Sequence, residues 1–171
     1  MKNFIEHVRK ITKSAKSSTP IKEELTDIGR LVDEDLELIP VNNAMGNPRR
    51  GDVQTYQFKM VITGNGEEIG RIDLRLGNTE WIEMYLGHIG YRVATKYRGN
   101  RYAARATRLL LPLARKNGFD TLWITCNPDN IASRRTCELA GGELIEIVDV
   151  PKNSDFYRAG EKQKCRYRIN L

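Results

Sequence analysis

The sequence predicts an α+β domain: a mixed, mostly antiparallel sheet of seven strands with helices packed on both faces. Three observations carry that expectation. Between Leu36 and Gly77 three short runs rich in alternating apolar residues are joined by turn-rich segments, the pattern of an antiparallel meander. From Thr121 onward, strand-like and helix-like runs alternate. Between these regions, "RYAARATRLLLPLARKNG" repeats its apolar residues at helical spacing. A chain of 171 residues is the size of one domain with a single core.

Taken in order, residues Phe4 to about Leu36 read as two helices, "FIEHVRKITKSAK" and "IKEELTDIGRLVDEDL". "SSTP" separates them, with Thr19 as N-cap and Pro20 at the first helical position. They are expected to form an N-terminal extension over residues 1–35, ahead of a domain over 36–171. "LELIPVN" is the first strand, followed by the turn-rich "NAMGNPRRGD". "VQTYQFKMVI", a Gly-Asn-Gly turn and "EIGRIDLRLG" supply the second and third strands, the last with apolar Ile72 and Leu74. "IEMYLGHIGYRVAT" is long enough for a fourth strand, with Gly87 and Gly90 marking a bulge or a close backbone approach. In the helix that follows, Tyr102, Ala106, Leu109, Leu110 and Leu113 share a face, and Pro112 is expected to kink it. "TLWITC" is a buried fifth strand, and "IASRRTCELAGG" a helix closed by Gly141 or Gly142. "ELIEIVDVP" and "KCRYRINL" are the sixth and seventh strands.

Composition narrows the function. No apolar run approaches ~18 residues, so no membrane span is expected. The N-terminus lacks the apolar core of a secretory signal, which points to the cytoplasm. Three widely spaced cysteines and two histidines, with no Cys-x-x-Cys, fit neither a disulfide framework nor a metal site. A net charge of +6 favours an anionic partner: nucleic acid, an acidic substrate or a phosphorylated cofactor.

One turn bears on that choice. In "VATKYRGNRYAARATR", Arg98, Arg101 and Arg105 crowd the start of a helix, where the dipole already disfavours cations. A strand, a glycine-containing turn and a helix together aim backbone N–H groups at an anion such as phosphate. The turn lacks the Gly-Lys-Ser/Thr of a P-loop and the three glycines of a dinucleotide fingerprint. On spacing alone, a solvated helix start with scattered arginines is an equally good reading.

A family resemblance adds to this. "V-x-x-x-x-R-G-x-x-Y-A", Val93 to Ala103, resembles the coenzyme-A-binding motif Arg/Gln-x-x-Gly-x-Gly/Ala of the GNAT N-acyltransferases. "NPDNIASRRTCELAGG" resembles that family's second cofactor element, and "GHIGYRV" and "CRYRINL" resemble one bacterial branch of it. The resemblance implies a GNAT-like sheet splayed between its fourth and fifth strands, and acetyl-CoA as the donor. It implies that the N–H groups of Arg98, Gly99, Asn100, Arg101, Tyr102 and Ala103 cradle the pyrophosphate. Val93 would offer its backbone to the pantetheine arm, with Asn130 and Ser133 on the other side. Two departures stand out: Arg101 occupies the place of the motif's second glycine, and only "NAMGNPRRGD" lies where members insert helices that wall the acceptor site.

The implied reaction is direct acetyl transfer to an unidentified primary amine, which needs a proton acceptor for the ammonium and a donor for the leaving thiolate. His88 is the candidate base, against the alternative of a packed histidine. Cys137 stands where the family often has a donating tyrosine, against the alternative of a buried helix cysteine. Tyr91 and Glu83 are weaker candidates, and a covalent route through Cys126 is disfavoured. A bulge near Arg92 and Val93 is expected to aim an N–H at the thioester oxygen. Competing readings are a coenzyme-A-binding protein without turnover and, less favoured, a basic nucleic-acid-binding module. Family members often pair, so a homodimer is an open expectation beside a monomer.

Overall fold

The computed structural model describes residues 29–44 and 53–171. The helices expected over residues 4–28 and most of the "NAMGNPRRGD" segment lie outside the described residues. Eight strands are present among the described residues rather than seven. The addition is β1 (Leu31–Asp33), in a stretch expected to be helical. It turns through Glu34, in the left-handed region at φ 52°, and pairs antiparallel with β2 (Leu36–Ala44), Leu31 opposite Leu38. β3 (Gln54–Ile62) and β4 (Glu68–Leu76) continue the antiparallel meander, with Phe58 opposite Ile72 and Tyr56 opposite Leu74. Period-two alternation puts Leu36, Leu38, Phe58, Met60, Ile72 and Leu74 in the core, each at most 3% exposed. Side chains of this size contribute about 1.5–3 kcal/mol apiece on burial.

The long fourth strand divides. Ile82–Leu86 form a single π-helical turn, and β5 is only Ile89–Val93. Gly87 ends the turn at φ 76°, where a Cβ would lie 3.0 Å from the Thr125 nitrogen, so a glycine is required for both conformation and space. β5 pairs with β4 in unbroken register from Gly70–Val93 to Leu74–Ile89, so the bulge expected near Arg92 and Val93 is absent from this ladder.

α1 (Tyr102–Lys116) lays Tyr102, Ala106, Leu110 and Leu113 onto the core. The helix continues through Pro112, which is exposed and has no N–H to give to the ladder. β6 (Thr121–Cys126), α2 (Ile131–Leu139), β7 (Glu143–Asp149), the short α3 (Asp155–Arg158) and β8 (Gln163–Asn170) complete the chain. The five-stranded sheet has the order β1-β2-β3-β4-β5, and a second sheet the order β6-β8-β7. The two meet at His88. Its N–H donates to the Trp123 carbonyl (2.7 Å), and its Nδ1 accepts from the Trp123 N–H (2.9 Å). Beyond that junction β5 and β6 share no ladder, which is the splay expected between the fourth and fifth strands.

Candidate functional site

A cleft of about 430 Å³ opens where the splay meets the starts of α1 and α2. Its floor is Tyr91, Arg92 and Val93 of β5; one rim is Arg98, Gly99, Arg101, Tyr102 and Ala103, and the other Asn130 and Ser133. The first rim is built locally. After β5 a 3-10 turn (Thr95–Tyr97) reverses the chain, and Arg98 Nε donates back to the Val93 carbonyl (3.1 Å). Asn100 Nδ2 donates to the Tyr97 carbonyl (3.2 Å). Gly99 at φ 89° and Arg101 at φ 59° are both left-handed. Two such residues turn the main chain so that its amides converge. The first turn of α1 has no side-chain cap. Among the described residues, no carbonyl or side chain accepts from the N–H groups of residues 99–104; the first bond of the helix is Arg105 N–H to the Arg101 carbonyl. Six unspent donors at the positive end of a 15-residue helix suit a polyanion.

The second rim depends on Asn130. Its Oδ1 accepts from the Ser133 N–H (3.0 Å), capping α2. That cap fixes Ser133, whose Oγ lies 2.7 Å from the Tyr91 hydroxyl across the cleft. Burial raises the Tyr91 pKa, so the phenol stays protonated across the physiological range. Behind it, Cys137 is fully buried against Cys126, and this contact with burial raises the Cys137 thiol pKa.

A family model for the acetyltransferase (GNAT) domain matches residues 32–143.

The chain belongs to the GNAT family.

Comparison with curated proteins finds no match. Among solved structures, an acetyltransferase from Agrobacterium tumefaciens aligns with 91% of this chain and 96% of its own at 20% identity, with a TM-score of 0.57. A GNAT acetyltransferase from Bacillus anthracis aligns over 67% of this chain and 65% of its own at 21% identity, TM-score 0.53. Mycobacterium smegmatis RimJ, solved in complex with CoA-disulfide, aligns over 72% and 55% at 17% identity, TM-score 0.53. At these identities the likeness is one of fold. The chain spans less than two thirds of the length of the Bacillus and Mycobacterium proteins.

Of the residues singled out in the sequence, the cleft brings together Tyr91, Val93, Arg98, Gly99, Arg101, Tyr102, Ala103, Asn130 and Ser133. Asn100 lines a smaller adjoining cleft. His88 and Cys137 line neither cleft. His88 is fully buried, its Nε2 3.0 Å from Asn78 Oδ1. Because Nδ1 accepts from Trp123, Nε2 carries the proton. Desolvation, with the nearby Arg75 guanidinium, overrides its hydrogen bonds and lowers its pKa to about 4. Its place in this GNAT fold is the joint between the sheets.

The sequence reading missed a clamp on the first rim. Arg105 Nε and Nη1 donate to Asp33 Oδ2 and Asp35 Oδ1, both at 2.8 Å, and the Tyr102 hydroxyl donates to Asp35 Oδ2 at 2.6 Å. The Tyr102 and Arg105 hydrogen bonds hold the Asp35 carboxyl below its usual pKa. The acidic run Asp33-Glu34-Asp35 and the cation at Arg105 were visible, but about 70 residues separate them and no local pattern links the two.

Proposed function

We propose that the chain transfers an acetyl group from acetyl-CoA to a primary amine. The observation that carries this reading is the row of unspent N–H groups at residues 99–104, continuous with a cleft that ends on the Tyr91–Ser133 pair. The donor set fits the group: main-chain amides and flanking guanidinium groups for a pyrophosphate, then an unpaired strand edge for an arm carrying amides. Acetyl-CoA supplies an activated thioester. Everything else falls to the chain.

In this reading the N–H groups of residues 99–104 hold the pyrophosphate, the Arg98 N–H being spent on the Thr95 carbonyl, and the Arg105 clamp fixes the angle of α1 so that these amides stay convergent. β5 has no ladder partner toward β6 beyond His88, which leaves main-chain groups around Val93 to register the arm. The Tyr91 hydroxyl, steered by Ser133, donates to the sulfur as it leaves. Its raised pKa keeps that proton in place until negative charge develops on sulfur. Cys137 sits behind Tyr91 as packing. The His88 ring is neutral and sealed, so the amine loses its proton to water or arrives uncharged. The three cysteines are buried free thiols, which supports a reducing, cytoplasmic setting. We place the start of the domain at β1, since that strand pairs with β2, with the preceding residues as an extension.

The test is release of free thiol from acetyl-CoA against a panel of amines: protein N-termini, lysine peptides, polyamines and amino sugars. Turnover with one class establishes the transfer. Tight acetyl-CoA binding with no thiol released by any of them would leave a coenzyme-A-binding protein without turnover. No binding at millimolar acetyl-CoA would remove the reading altogether.

A further inference from the structure

The cleft has a second chamber of about 320 Å³, bordered by Asn100, Arg105 and Arg108. Arg101 and Leu139 line both chambers, so the two are contiguous and Arg101 stands on the wall between them. Two acids border the second chamber, Asp33 and the exposed Glu34, with Oδ2 and Oε2 at 2.8 and 3.5 Å from the Arg105 guanidinium, which Asp35 Oδ1 also engages at 2.8 Å. The Arg101 side chain, by contrast, has no hydrogen bond or ion pair among the described residues. Arg108 spends only Nη1, on the Leu139 carbonyl (2.9 Å). Among the described residues, Arg101 and Arg108 are therefore the guanidinium groups of the second chamber that no carboxylate engages. Arg101 also holds a left-handed backbone (φ 59°), a conformation that costs a long side chain and suits glycine.

A ligand whose pyrophosphate lies on the N–H groups of residues 99–104, and whose arm runs along β5, has one end left over. The open second chamber receives that end. In coenzyme A it is an adenosine bearing a 3′-phosphomonoester, a dianion matched by the free Arg101 guanidinium together with the remaining donors of Arg108. Resting on the acetyl-CoA reading above, we propose that Arg101, supported by Arg108, makes this chain select coenzyme A esters that carry the 3′-phosphate over their 3′-dephospho forms.

The experiment is isothermal titration of acetyl-CoA and 3′-dephospho-acetyl-CoA into the wild-type chain, Arg101→Gly and Arg101→Asn. Both substitutions place at φ 59° a residue that tolerates it, so they are expected to fold as well as wild type, checked by thermal unfolding. Wild type is expected to prefer the 3′-phosphate form by about 10- to 100-fold, the range of a charge-assisted contact. In both variants the preference for the 3′-phosphate form should fall below about threefold, whatever the change common to both esters. Equal wild-type affinities, or variants that keep the full preference, would overturn the assignment while leaving the acetyl-CoA reading intact, because both esters would still bind. Failure of wild type to bind either ester would overturn both.

Discussion

Acidification from pH 7 to pH 4.5 should destabilise this protein through one histidine. His88 titrates near 4 in the folded state against 6.5 for the free side chain. Its folded pKa is depressed, so the stabilisation is fully present above the unfolded value and is lost as pH falls from about 6.5 toward 4. At about 1.4 kcal/mol per unit the full span is worth about 3.4 kcal/mol. Protonation curves with these two values place about 2.4 kcal/mol of it between pH 7 and pH 4.5. The burial of the ring means solvent screening does not reduce this figure appreciably. Urea unfolding at the two pH values, on wild type and on His88→Gln, isolates it. Carboxylates titrate in both proteins, so the wild type should lose about 2 kcal/mol more than the variant. Equal losses would mean that His88 is not sealed neutral at the Trp123 joint. The assignment of His88 to structure rather than to proton abstraction would then fail.

Three further outcomes follow from the same geometry. Arg105→Met should cost about 2 kcal/mol by stranding the partly buried Asp33. Thermal unfolding should then show a midpoint drop of about 4–8 °C for a chain of this size, and a drop under 1 °C would show that the clamp holds nothing. Tyr91→Phe should lower kcat about 10- to 100-fold with KM within about twofold, since the hydroxyl acts only as charge grows on sulfur; an unchanged kcat in steady-state kinetics would remove it as donor. Cys137→Ala should cost about 1–2 kcal/mol as a buried truncation yet keep kcat within about threefold. A collapse of kcat without loss of stability would put the thiol back in the chemistry.

The turn that lines the cleft was legible because it is local. Val93 to Ala103 places strand, turn and helix within eleven residues, and Gly99 and the charged helix start are visible without a fold. Asn130 was legible for the same reason, since a cap acts three residues away, on Ser133. What escaped depends on partners distant in sequence. Leu31–Asp33 carry a helix-compatible pattern, and pairing with β2 makes them a strand. The π turn at Ile82–Leu86 ends at Gly87, which lies against the β6 backbone near Thr125, a residue 38 positions on. His88 read as a base because histidine titrates near neutrality; its ring hydrogen bonds to Asn78 and Trp123 exist only once the sheets meet. Arg101 read as a departure from a glycine motif, and only the two chambers it divides give that departure a use.

Main-chain amides at the head of α1 and the edge of β5 are proposed to hold acetyl-CoA. Amide chemical shifts of the isotopically labelled protein, recorded before and after saturation with acetyl-CoA, test it most directly. The largest changes should fall on Gly99 to Ala104, on Tyr91 to Val93 and on Ser133, with the β7 amides unmoved. Large shifts confined elsewhere, or a spectrum unchanged at millimolar acetyl-CoA, would mean that these amides do not hold it.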